Sequence, residues 1–308
     1  MKTLYIEQEK SSELIKLMSN STKVIVFVLL SYTVSYLIQG VIWLTGGVKA
    51  GHAGLLISLL TLTPALVSFV LMWLTQSDFD KVGWQIGNIQ YLLYGIFIPI
   101  LYTFIQVVVA TGLGLGKSKL FTLDNGRILL GKQSVFILNV NPQSIPLFIL
   151  NICLTVIVNS LVLGFIIWGE EVGWRGYLQP KLIDQFGLTK GVILLGIIWA
   201  FWHLPIWLMG YNSTEYNPLI GAILIYPITG IALSFILAWL RLSSGSIWSA
   251  VLAHSSNNAC SVLTTSESWF AANPILRDVV WAIVMVALGV LFHFLTRFAQ
   301  FEQNMPRQ

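Results

Sequence analysis

Eight times along its 308 residues the chain runs for about twenty positions with almost nothing charged. Coiled as a helix, a run of that length crosses the hydrocarbon of a bilayer. In lipid every backbone polar group needs an internal partner, and runs this continuously apolar satisfy that need as helices. The expected spans are Val24–Leu44, Gly54–Leu74, Tyr91–Gly112, Pro146–Trp168, Leu188–Met209, Leu219–Leu240, Ser246–Thr265 and Asp278–Thr296. The fold class that follows is all-α: a polytopic transmembrane helix bundle with about eight spanning helices.

Composition agrees. Only 10% of residues are charged and 56% are hydrophobic, where a soluble domain carries about 25% charged residues. The mean hydropathy is +0.78. A net charge of +4 reads as loop charge at a membrane face. No basic run interleaved with aromatics suggests nucleic acid as a partner, so the bilayer is the partner that composition implies. Cys153 and Cys260 sit in apolar runs and read as small core residues. Residues 1–23 are polar and carry no cleavage site after the first apolar run, which makes them a cytoplasmic N-terminal segment. With that end inside, 11 of the 17 Lys and Arg fall on its side and 6 on the other. That bias places both termini in the cytoplasm; the membrane is expected to be a bacterial plasma membrane, an expectation that charge does not carry. Within the long loop Gly112–Gln143, Val135–Val140 is expected to form a short strand-like or interfacial piece.

Ionisable groups inside a membrane are costly, and those that remain are functional candidates. Three places carry them. The first is Gly169-Glu170-Glu171-Val172-Gly173-Trp174-Arg175-Gly176. On a helix Glu171 and Arg175 stand at i and i+4 and pair, while Glu170 points about 100° away, free of that partner. A carboxylate in apolar surroundings serves as a base near neutral pH. The second is Trp199-Ala200-Phe201-Trp202-His203-Leu204-Pro205, where Pro205 opens the helix beside His203. The third is His254-Ser255-Ser256-Asn257-Asn258, whose His254 and Asn258 share a face and suit donation to one developing oxyanion. Each has a plainer reading taken singly: glutamates marking a membrane boundary, a histidine bonding between helices, a polar zipper. His52 and His293 are read as structural. The P-loop-like Thr111–Ser118 lacks its first glycine and a βαβ setting, and neither His-Glu-x-x-His nor Gly-x-Ser-x-Gly occurs.

Together, in this order and spacing, the three motifs resemble those of the CPBP family, the CAAX-prenyl-protease and bacteriocin-processing group also called Abi. Its pattern is Glu-Glu-x-x-x-Arg, Phe-x-x-x-His and His-x-x-x-Asn, met here as Glu170-Glu171…Arg175, Trp199…His203 and His254…Asn258. Trp199 stands where the family usually has Phe. The resemblance covers about Pro146 to Thr265 and divides the chain into residues 24–143, holding N-terminal helices and a loop, a catalytic bundle at 144–298 and a tail at 299–308. It implies an intramembrane glutamic endopeptidase needing no cofactor, with a membrane-associated peptide or protein as its partner. Glu170, assisted by His203, would activate water; His254 and Asn258 would form the oxyanion hole; Glu171 and Arg175 would hold the first motif in shape. Two alternatives stand beside it. One is a Zn²⁺ metalloprotease using Glu170, His203 and His254. The other is a non-enzymatic immunity or scaffold protein whose polar residues only join helices.

Overall fold

The computed structural model describes residues 18–131, 135–211, 216–261, 263–264, 269–271 and 273–304. Residues 1–17 of the expected cytoplasmic segment, Thr265 at the end of the seventh expected span, residues 305–308, and Lys2, Lys10, Lys16, Lys132 and Arg307 of the charge count lie outside them.

The described chain is a helix bundle. Its helices are α1 (Asn20–Leu44), α2 (Ala53–Thr75), α3 (Ile89–Gly112), α4 (Ile145–Glu171), α5 (Gln179–Trp202), α6 (Leu204–Leu208), α7 (Pro218–Ser244), α8 (Ile247–Ser261) and α9 (Pro274–Asn304). Burial is inverted relative to a water-soluble protein. Ser31, Ser35 and Gln39 of α1 are fully buried, while Phe165 of α4 is 85% exposed. Such a surface suits lipid. Helix α8 lies at the centre against α3, α4 and α7; α5 packs on α7 and α1, α2 joins α1 to α4, and α9 runs along α7 and α3.

Among the described residues six stretches, not eight, are long and apolar enough to cross a bilayer. The expected span Pro146–Trp168 and most of Leu188–Met209 fall within one, Ile145–Trp202. The chain folds back inside it at Gly187, φ +75, so tightly that a Cβ on Gly191 would lie 2.8 Å from the backbone of Leu182 and Ile183. The seventh expected span is only the 15-residue α8, about 22 Å long at 1.5 Å per residue.

The α3–α4 loop holds small antiparallel sheets that the all-α expectation did not include. Strands β2 (Phe121–Asp124), β3 (Arg127–Leu130) and β4 (Gln143–Ser144) form one; β1 (Gly116–Ser118) pairs with β5 (Trp269–Ala271) in the other. Val135–Val140 is irregular rather than strand-like. Side chains of α4 take its backbone groups instead: Thr155 Oγ1 accepts from Ile137 N at 3.0 Å, and Asn151 holds both N (2.9 Å) and O (2.8 Å) of Leu138. An edge already satisfied this way has no need of a neighbouring strand.

Three glycines set how closely the end of α4 and the segment after it approach α2 and the α2–α3 loop. A Cβ on Gly169 would meet Thr61 O at 2.7 Å, one on Gly173 Pro64 Cβ at 2.3 Å, and one on Gly176 Val82 Cγ1 at 2.7 Å. Small residues permit such contact between membrane helices. Gly173→Ala therefore forces the two helices apart. We expect about 1–3 kcal/mol of lost stability, visible as a lower unfolding midpoint in detergent; an unchanged midpoint would refute the close-packing argument.

Candidate active site

Helix α4 does not stop at the two glutamates. It continues into a π-helical segment, Val172–Leu178, before α5. Such widened turns inside helices occur often at functional sites. Here it carries Arg175 back toward α4, where Nη1 meets Glu171 Oε1 at 3.0 Å with both side chains wholly buried. Glu171 is shared: His254 Nδ1 of α8 also lies 2.7 Å from its Oε1. The expected Glu171–Arg175 pair is present, and its carboxylate reaches a third helix that the i, i+4 argument did not foresee.

Glu170 is 2% exposed, and its Oε2 accepts a hydrogen bond from Trp199 Nε1 at 2.8 Å. A phenylalanine at that position would offer no such donor. Trp199 also meets Arg175 and both histidines. The Arg175 guanidinium lies 4.6 Å above its ring, and the His203 and His254 rings meet it edge-on at 5.6 and 5.0 Å.

His203 sits where α5 breaks. Its Nδ1 is 3.0 Å from Trp199 O. A carbonyl only accepts, so Nδ1 carries the proton and Nε2 keeps its lone pair. The ring stacks on Trp207 at 5.1 Å. Pro205 has no N–H to offer Phe201 O, and Tyr36 of α1 donates its hydroxyl there at 2.7 Å. Gln39 bridges the opened turn, with Nε2 donating to Trp202 O (3.1 Å) and Oε1 accepting from Ile206 N (2.9 Å). The first helix thereby supplies the hydrogen bonds that the break removes.

Asn258 is oriented by a relay absent from the sequence reading. Tyr102 of α3 donates its hydroxyl to Asn257 Oδ1 at 2.5 Å, and Asn257 Nδ2 donates to Asn258 Oδ1 at 3.1 Å. Each donation fixes the direction of the next amide, leaving Asn258 Nδ2 as a donor. Asn257 stood out as polar in its span; nothing distinguished Tyr102 from other aromatics in an apolar run.

Glu170, Trp199, His203, His254 and Asn258 line one cavity of about 680 Å³, to which α3 adds Tyr102. Glu171 and Arg175 stand behind it. Among the described residues no three His, Cys, Asp or Glu side chains gather closely enough to hold a metal ion. His52 bonds Thr45, and His293 packs on Phe235, away from the site.

A bundle with six stretches of this length and apolarity is an integral membrane protein, and its polar cavity lies inside the bundle. Residues 142–260 match the family model described as type II CAAX prenyl endopeptidase Rce1-like. A 48-residue stretch is 44% identical to CAAX prenyl protease 2 of Methanococcus maripaludis, covering 16% of this chain. The chain thus spans 17% of the length of that curated relative. All seven motif residues lie inside the region that matches this family model. Neither match bears on bacteriocin immunity.

Proposed function

We propose that the chain is an intramembrane endopeptidase in which Glu170 is the base. The observation that carries this reading is the convergence of Glu170, His203, His254 and Asn258, from three parts of the sequence, on one cavity. Glu170 Oε2 is held by Trp199, and its second oxygen takes a proton from a water positioned by His203 Nε2. The water oxygen bonds to the peptide carbonyl carbon. Asn258 Nδ2 and His254 donate to the oxyanion that forms. The C–N bond then breaks as Glu170 returns its proton to the leaving nitrogen, giving a carboxylic acid and an amine.

The names of the matched family and relative make peptides ending in a prenylated CAAX tail the first substrates to try. The test is mass spectrometry of such peptides incubated with the purified chain. His254→Ala is expected to lower the rate about 10²–10³-fold. The reaction needs no metal in this reading, so chelation leaves it unchanged. Loss on chelation with recovery on added zinc would favour the metalloprotease, and wild-type rates in His254→Ala would remove it from the oxyanion hole.

A further inference from the structure

At the end of the bundle where α1 begins lies a second cavity, of about 390 Å³. Three cationic side chains line it: Lys81 from the α2–α3 loop, Arg175, and Arg241 at the end of α7. One carboxylate, Asp184, shares the lining, and its Oδ2 accepts from Asn20 Nδ2 at 3.0 Å. Gln179 also lines it and is 1% exposed, yet neither atom of its amide has a partner within the protein. The same holds for the buried Nε of Arg175 and of Arg241. Buried polar atoms left this way in a native fold call for a ligand.

The guanidinium of Arg241 is seated for this purpose. Its Nη2 donates to Lys81 O at 2.8 Å. Gly83, at φ +87, makes room for it, since a Cβ there would stand 2.9 Å from Arg241 Cζ. Lys81 is held from the other side by Asp78 at 3.4 Å. Asp78 also takes Lys23 (3.3 Å) and Lys181 (3.2 Å), so its charge is already countered. Burial works to raise its carboxyl, but these lysines and Ser77 outweigh that and hold it at about 2.

We propose that this cavity binds a phosphate group. Two guanidinium N–H groups and a neutral amide are unpartnered there, with Lys81 at the rim, and charge-assisted donors of this kind select an oxyanion over water. The site stands at the end of long apolar helices, the depth at which lipid phosphates lie. A soluble phosphate offers the same oxygens. The proposal is independent of the peptidase reading, although the ligand would rest against the guanidinium whose other arm holds Glu171.

The test uses the full chain in phosphate-free maltoside micelles. Its unfolding midpoint is measured with sodium phosphate against sodium chloride at equal ionic strength, and with phosphatidic acid against diacylglycerol. Binding is expected to raise the midpoint by roughly 2–4 °C at saturation. A rise in the phosphate arm identifies a free anion as sufficient; a rise only with phosphatidic acid identifies the headgroup. Arg241→Gln and Gln179→Leu are expected to abolish the rise. Gln179→Leu removes two unpartnered atoms at similar volume and so retains the fold. No rise in either arm, or a rise undiminished in both variants, overturns the proposal.

Discussion

Replacing Glu170 with glutamine is expected to lower peptide hydrolysis about 10³-fold, the usual range for losing a positioned base, while the protein stays folded. The substitution is close to isosteric. Glutamine retains an oxygen to accept the Trp199 Nε1 hydrogen bond now made at 2.8 Å, so the wall of the cavity keeps its shape. What it lacks is the ability to take a proton from water. The comparison is decisive only if substrate still binds. KM for a cleavable peptide, or competition by an uncleaved one, should therefore stay within a few-fold of wild type. Turnover at the wild-type rate in the glutamine variant would end the assignment of Glu170 as base.

The second large effect concerns stability. Arg175→Met takes the guanidinium from a fully buried Glu171, leaving His254 Nδ1 at 2.7 Å as a hydrogen-bond partner. Stranding a buried charge in this way costs about 3–5 kcal/mol. The double variant Glu171→Gln/Arg175→Met removes both charges and is expected to recover most of that loss, because the stranded carboxylate is what makes the single change costly. Unfolding midpoints of the three proteins measure it. A single variant within about 1 kcal/mol of wild type would mean that the pair does little to hold the first motif.

The membrane bundle was legible because apolar runs report directly on a lipid environment. The three polar motifs were legible because such residues are rare in such runs. Span boundaries were harder to read. The turn at Gly187 was legible, because the polar stretch from Gln179 to Lys190 separates two apolar runs, although the helix continues through much of it. Helix α8 is buried on most sides, and its short length is masked by the flanking residues. The relay from Tyr102 through Asn257 depends on α3 and α8 meeting, which spacing along one helix cannot reveal. The Trp199–Glu170 hydrogen bond was hidden for a related reason. Substitution of one aromatic for another reads as conserved bulk, whereas the indole N–H is what binds the carboxylate.

Gln39 and Tyr36 stand more than a hundred residues before the segment that matches the family model, yet they complete the helix break beside His203. The segment that matches the family model is therefore smaller than the unit that holds His203 in place. Residues 142–260 expressed alone would place the carbonyls of Phe201 and Trp202 and the N–H of Ile206 in lipid without these partners. If α1 were supplied as a separate peptide, it would act as a structural cofactor, and the histidine's geometry would depend on its concentration.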